Sequence, residues 1–192
     1  QALNSFLQQR IDWWAFTQEQ PDALAYAEAR TRALFDINPD SDPILEFFST
    51  ARTTLLGEYA ALLGKHTAKT FQEQAVTLLT GLDISLVASE RFARITRVLL
   101  TGKNEPRSLK ASKALDASLG SAGSARLLEL HDTLCTDLLD SRDSLARQAA
   151  LTLNLAWHRA GQRLLEHYQR IKREQRVLDF ADLEWNAYRL LN

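Results

Sequence analysis

The sequence has few of the residues that break helices or cross-link chains. Its 192 residues include one cysteine, no methionine, four prolines and seven glycines. A single cysteine excludes an intramolecular disulfide framework and a cysteine-rich zinc site. No apolar run approaches the roughly 20 residues that a membrane-spanning helix requires. We therefore expect a cytoplasmic protein with no membrane partner, in which Cys135 is a buried and unreactive side chain.

Hydrophobic residues make up 45% of the chain. They recur at spacings of three and four, and convincing alternation with period two is absent, which predicts an all-α, multi-helix bundle of about eight helices. Asp42 is expected to cap a helix that begins at Pro43 and continues to Gly64. A flexible turn is expected at residues 120–124. The longest helix is expected from about residue 144 to residue 176, close to the C-terminal end.

Charge is segregated along the chain, although the net charge is only -1. Residues 1–50 carry eight acidic and three basic side chains, whereas residues 91–113 carry seven basic side chains against Glu105 alone. A basic cluster suits a polyanion, because each cation placed near a phosphate releases condensed counterions. The alternative is a solvated helix face beside a mobile loop. The candidate nucleic-acid-binding residues are Arg91, Arg94, Arg97, Lys103, Arg107, Lys110 and Lys113.

Catalytic and metal-binding patterns are sparse. None of the four histidines follows a glutamate by three residues, the spacing of metal-binding helical bundles. The glycines near Lys65 do not form a phosphate-binding loop, since His66 stands where a serine or threonine is needed. His131, beside Asp132, is expected to form a surface or interhelical hydrogen bond rather than an acid–base pair. The sequence therefore predicts no catalytic residue and no metal site.

Two aspartates near the C-terminal end mark the start of a final helix. Asp179 is expected to cap this helix, with Asp182 at the third helical position, where its charge favours the positive helix end. The segment Asp179-Phe180-Ala181-Asp182-Leu183 resembles the one that precedes the Walker B strand in UvrD-family DNA helicases. It departs from the common pattern at Ala181, where an aspartate usually stands.

Two further segments carry the same resemblance. Residues 99–107, followed by Lys110 and Lys113, are similar to a segment of the accessory 1B domains of AddA-like and RecB-like members of that family. Residues 6–14 resemble an Arg-Asp-x-Trp helix seen in some of the same proteins. The three segments occur in the expected order and bracket most of the chain.

The resemblance implies a helical 1B-like accessory domain over residues 1–178 and the start of a return to a RecA-like motor over residues 179–192. The chain is then a piece of an ATP-dependent DNA helicase or helicase-nuclease, with exonuclease activity in the latter case, that acts in DNA repair or recombination. The motif residues Asp179, Phe180, Asp182 and Leu183 would have a structural role.

The implied partners are DNA, as duplex or single strand, the remaining helicase domains and a second subunit of a helicase-nuclease complex. ATP and magnesium would be bound by the parent motor, and no cofactor is expected in this segment. Trp14 and Trp157 are expected in the core, whereas Trp185 would pack against the motor. A different class stays open: a helical protein-interaction scaffold that docks an acidic protein partner.

Overall fold

The computed structural model describes residues 2–17 and 20–191, and this part of the chain contains nine α-helices and no β-strand. The prediction of an all-α fold with one long helix near the C-terminal end is confirmed. Within these residues, no helix combines the length and the apolarity needed to cross a bilayer. In chain order the helices are α1 (Ala2–Gln8), α2 (Arg10–Thr17), α3 (Ala23–Leu34), α4 (Pro43–Phe47), α5 (Thr50–Gly64), α6 (Lys69–Leu82), α7 (Ala88–Leu99), α8 (Lys113–Gln175) and α9 (Phe180–Leu191).

The described residues form two compact units. The terminal unit combines Gln1–Pro39 with Arg147–Asn192, and the central unit is Asp40–Ala146. Helix α8 contributes residues to both units. Residues 179–191 lie in the terminal unit, and the boundary expected between residues 178 and 179 stays a prediction.

The core of the central unit is built from apolar side chains at helical spacing. On α8, buried leucines follow one another at intervals of three or four residues, as one inward face of a helix requires. Burying a side chain of this size contributes about 1.5–3 kcal/mol. The core therefore holds the end of α7 and the adjoining part of α8 in place. Its fully buried members include Phe47, Leu56, Leu63, Leu78, Ile95, Leu99, Leu127, Leu130, Leu134 and Leu138.

The single helix predicted between residues 43 and 64 is instead two helices, α4 and α5. Asp42 caps α4 as predicted, because its carboxylate accepts hydrogen bonds from two backbone amides of the first turn. Ser49 has φ -56° and ψ 153°, outside the helical region, and its hydroxyl accepts from the backbone amide of Arg52 at 3.5 Å. Ser49 thus separates the two helices, because serine is a favoured cap for a helix start.

Helix α8 also differs from the prediction. It departs from helical torsions only at Gly120, with φ 73° and ψ 163°, a conformation that favours glycine. The predicted flexible turn at 120–124 is therefore limited to one residue, and the prediction of a separate helix from about residue 144 is wrong. No proline interrupts residues 121–175. The hydroxyl of Ser141 donates to the carbonyl of Asp137, four residues earlier, instead of capping a new helix.

Helix α1 approaches α8 closely in the terminal unit. A Cβ atom at Gly161 would lie 2.6 Å from two ring atoms of Phe6, so this contact requires a glycine. The ring centroid of Trp13 lies 5.7 Å from that of Phe6 and 5.2 Å from that of His158. Trp157, which the sequence predicted in the core, is 46% exposed. Successive helix positions differ by about 100° in direction, and here the neighbouring His158 faces the Trp13 ring.

Candidate nucleic-acid interface

The segment after α7 folds back on itself as a hydrogen-bonded turn. The backbone amide of Thr101 donates to the carbonyl of Glu105, and that of Arg107 to the carbonyl of Leu99, both at 2.8 Å. Asn104 has φ 64°, a left-handed conformation that asparagine adopts more readily than most residues. The segment is thus a hydrogen-bonded turn. We call residues 101–107 the basic turn.

A buried histidine fastens the end of the basic turn to the core. The Nε2 atom of His131 lies 2.7 Å from the carbonyl oxygen of Arg107, and its Nδ1 atom lies 2.9 Å from the hydroxyl of Tyr59. A carbonyl only accepts hydrogen bonds, so Nε2 carries the proton and Nδ1 accepts from Tyr59. Burial raises the pKa of Tyr59, which keeps the phenol protonated as a donor. The predicted interhelical hydrogen bond of His131 is confirmed.

Cys135 lies beside this histidine and is buried, as predicted. Its sulfur is 3.7 Å from Nε2 of His131 and 3.6 Å from the carbonyl oxygen of Leu99. Burial, with a smaller contribution from the charge of Asp132, raises the pKa of the thiol to about 11. The thiol is therefore protonated at neutral pH, and it is a poor nucleophile because the thiolate is the reactive form.

An open cleft lies between α7 and the basic turn. Its volume is about 440 Å³, and three arginines line it: Arg97 from α7, Arg107 from the turn and Arg142 from α8. The Nε atom of Arg107 donates to the backbone carbonyl of Arg97 at 3.2 Å, which ties the Arg107 side chain to the end of α7. Among the described residues, no carboxylate lies within ion-pairing distance of any of the three. The cleft is consequently a site of unneutralised positive charge.

Arg142 is not among the cations predicted from the sequence. Asp140 and Asp143 stand on either side of it, so the net charge of this short stretch of sequence is not positive. The core packing of α8 brings Arg142 to the cleft, and a linear sequence gives no signal for that proximity.

Two of the predicted cations have structural contacts of their own. Arg91 lies over the ring of Phe48, with its guanidinium carbon 4.0 Å from the ring centroid, and its Nε atom donates to the carbonyl of Gly81 at 3.2 Å. Arg94 pairs with Glu90 at 2.8 Å. Each guanidinium thus has a partner within this chain. The supporting role in binding expected for these two arginines stays a prediction.

The predicted lysines occupy more exposed positions. Lys103 lies within the basic turn, Lys110 lies in the connection to α8, and Lys113 is the first residue of that helix. All three are exposed. Of the seven predicted residues, the structure brings Arg97 and Arg107 to one cleft. Lys103 lies between cleft-lining residues of the turn without lining the cleft itself, and Lys110 and Lys113 lie on the segment that follows the turn.

The motif near the C-terminal end forms a reciprocal helix cap. The backbone amide of Asp182 donates to the carboxylate of Asp179, and the backbone amide of Asp179 donates to the carboxylate of Asp182, each at 3.1 Å. This is the geometry of a capping box, in which two residues three apart satisfy each other's amides. The predicted cap of α9 by Asp179 is confirmed.

The same two carboxylates take part in a buried charge network. Arg10 pairs with Asp179, and Lys172 pairs with both Asp179 and Asp182. Burial by itself would raise the pKa of each carboxyl, but the hydrogen bonds donated by Lys172 and other groups outweigh it and hold both pKa values below the usual range. The motif therefore fastens the start of α9 to α2 and to the end of α8.

The other two motif residues face solvent. Phe180 is 81% exposed and Leu183 is 55% exposed. Trp185, expected to pack against a motor domain, is half-buried within this chain, with its ring centroid 5.7 Å from that of Trp14. The ring of Tyr188 stacks on Trp185 at 5.4 Å. The aspartates of the motif thus have structural partners, whereas its apolar residues form an exposed stripe.

No other chemical centre appears in the part of the chain that the structure describes: it holds no group of three or more His, Cys, Asp or Glu side chains suited to a metal ion. Comparison of the chain with protein-family models, curated proteins and solved structures gave no match. The function must therefore be argued from the cleft and its residues.

Proposed function

We propose that this chain is a DNA-contacting accessory domain of an ATP-dependent DNA helicase or helicase-nuclease, and that the arginine cleft is its contact with the phosphate backbone. The observation that carries the proposal is the convergence of Arg97, Arg107 and Arg142 on one open cleft without a neutralising carboxylate. Guanidinium groups match phosphate geometry and form paired hydrogen bonds with its oxygens.

The ordered basic turn strengthens this proposal. A cation on a mobile loop loses conformational freedom when it binds, which opposes affinity. Here the carbonyl of Arg107 is already held by His131, and its side chain is held at the carbonyl of Arg97. Less freedom is lost when a phosphate arrives, so a small number of cations is sufficient for a weak, salt-dependent contact.

The parent protein enters the proposal through the sequence resemblance. A RecA-like motor would bind ATP and magnesium and pull the strand, and a second subunit would complete a helicase-nuclease. The 192 residues of this chain would supply no catalytic group to that reaction. In this arrangement the cleft guides DNA toward the motor and acts in unwinding for repair or recombination.

The test is a comparison of two matched variants of this chain, each with three arginines replaced by glutamine. The first carries Arg97→Gln, Arg107→Gln and Arg142→Gln in the cleft. The control carries Arg30→Gln, Arg159→Gln and Arg189→Gln, which removes the same charge from exposed positions of the terminal unit. Binding to fluorescent duplex and single-stranded DNA is measured between about 50 and 200 mM salt.

We expect the cleft variant to lose about two to three units of the log–log salt slope, since each phosphate contact contributes about 0.7–0.9. The control should keep the parental slope. Equal slopes for the two variants would show that binding follows net charge alone and would overturn the assignment. An acidic polypeptide, titrated under the same conditions, tests the scaffold alternative: stronger binding to it than to DNA favours an acidic protein partner.

A further inference from the structure

A second cavity lies next to the arginine cleft in the central unit. Its volume is about 280 Å³, near the lower end of the range for small-molecule pockets. Thr101 and Arg107 line both the cavity and the cleft, so a ligand group in one is adjacent to a ligand group in the other. The remaining lining residues are Tyr59, Thr70, Phe71, Gln74, Val98, Ser108, Leu109 and His131.

Apart from Arg107, the lining combines apolar side chains with uncharged hydrogen-bonding groups. Phe71, Val98 and Leu109 supply the apolar part. Gln74 supplies an amide that both donates and accepts, and the described residues offer it no hydrogen-bond partner. No carboxylate of the described residues lines the cavity. These groups suit a planar, uncharged heterocycle with donors and acceptors on its edge.

His131 forms part of the wall and is unsuited to a reactive role. Both of its ring nitrogens already have partners, in the hydroxyl of Tyr59 and the carbonyl of Arg107. The cavity is therefore suited to binding and offers no free acid or base. Among the described residues that line the cavity, Arg107 is the only cation, and it favours a ligand with an anionic group beside the ring.

We infer that this cavity receives one unpaired nucleobase while the arginines of the adjacent cleft hold the phosphates next to it. The inference rests on the proposed function and deepens it, since it assigns the contact to single-stranded DNA. A base within a duplex is stacked and paired, and extracting it is costly, whereas a base in a single strand is available. Glutamine amides bind base edges, and aromatic rings stack on base faces.

The test uses the intact 192-residue chain and three probes of about 12 nucleotides, within the length range of single-strand binding sites. The probes are a single strand, the same sugar–phosphate strand with its bases removed, and a blunt duplex. Gln74→Leu removes the amide with little change in volume. Thr77→Ala, on the same helix, half-buried and outside the cavity lining, is the matched control. Urea unfolding of each variant verifies that it is folded.

We expect the parent chain to bind the abasic strand about tenfold more weakly than the normal strand, the factor that corresponds to one stacked base. Gln74→Leu should weaken binding to the normal strand several-fold and leave the abasic strand and the duplex unchanged. Thr77→Ala should match the parent on every probe. Phe71→Leu is a second variant, expected to act like Gln74→Leu because it removes the aromatic face.

The outcomes separate this inference from the proposed function. If the parent binds the normal and abasic strands equally, and the cleft variant weakens both, the phosphate contact stands and the base site is wrong. If Gln74→Leu weakens duplex and single strand alike, the cavity does not select an unpaired base. If the parent binds none of the three probes, both proposals fail together.

Discussion

A chain of hydrogen bonds runs from Tyr59 through His131 to the carbonyl of Arg107. It predicts that removing the Tyr59 hydroxyl destabilises the parent protein but stabilises a variant that lacks His131. Tyr59 is 3% exposed and His131 is 5% exposed, so bulk water has little access to the Tyr59 hydroxyl, although both residues line the neighbouring cavity. The perturbation is His131→Leu, which keeps an apolar side chain of similar bulk and removes both hydrogen bonds.

The expected cost follows from what is left unpaired. A buried hydroxyl without a partner costs about 1–3 kcal/mol. The carbonyl of Arg107 belongs to an exposed residue, so water can satisfy it and its loss adds no more than about 1 kcal/mol. His131→Leu should therefore lower the free energy of unfolding by about 2–3 kcal/mol. His131→Gln, whose amide can still donate to the carbonyl, should recover part of this loss.

The second substitution is Tyr59→Phe. In the parent it removes the donor and leaves Nδ1 of His131 unpaired, which should destabilise the protein by about 1–2 kcal/mol. In the His131→Leu background the hydroxyl is already unpaired, so removing it should stabilise by about 1 kcal/mol. The coupling between the two positions is then about 2–3 kcal/mol, the upper part of the range for residues in contact.

Urea unfolding of the parent, both single variants and the double variant gives the four free energies of this cycle. His167→Leu, an exposed histidine in the terminal unit, is the control and should change stability by less than about 0.5 kcal/mol. Destabilisation by Tyr59→Phe in both backgrounds would refute the reasoning, because the hydroxyl would then have a value independent of His131. If His131→Leu binds DNA with the same salt dependence as the parent, the hydrogen bond from His131 does not position Arg107.

Two further predictions concern the terminal unit. Gly161→Ala should destabilise by about 1–3 kcal/mol, because its Cβ would overlap the ring of Phe6. The control is Gly57→Ala in the central unit, where a Cβ would meet no described atom within 4 Å apart from its chain neighbours and its own helix backbone; it should stabilise by up to about 1 kcal/mol. Urea unfolding that ranks the two alike would contradict the close approach. Lys172→Met should cost about 3 kcal/mol at neutral pH. The pKa of Asp182 is lowered from its ordinary 3.8. The stabilisation that Asp182 gains from Lys172 is therefore fully present above about pH 3.8 and is lost as the pH falls through the lower pKa of the folded state. Urea midpoints measured from neutral to acidic pH should therefore converge for parent and variant, and a constant gap would exclude this pairing.

Local features were the ones that the sequence predicted well. The caps by Asp42 and Asp179 depend on a side chain and amides two or three residues away, so a short segment contains the whole interaction. Helix interruptions were predicted less well. Glycine and serine at 120–124 are compatible with both a turn and a helix, and in the structure the helix breaks only at Gly120.

The candidate site divides in the same way. The concentration of positive charge between residues 91 and 113 is a property of the sequence. Which of those cations are available depends partly on packing. The pair between Arg94 and Glu90 is local, four residues apart on one helix, whereas only packing places Arg91 over Phe48 and Arg97 at the cleft.

The sequence by itself determined an all-α chain, its capped helix starts and a basic segment after α7, because helical periodicity, capping and charge depend on residues close together in the chain. Only the tertiary structure decided that Arg142 joins Arg97 and Arg107, and that His131 holds the turn from α8. These contacts join residues tens of positions apart. They arise because burying the leucine faces of α7 and α8 in one core fixes the relative positions of everything attached to those helices.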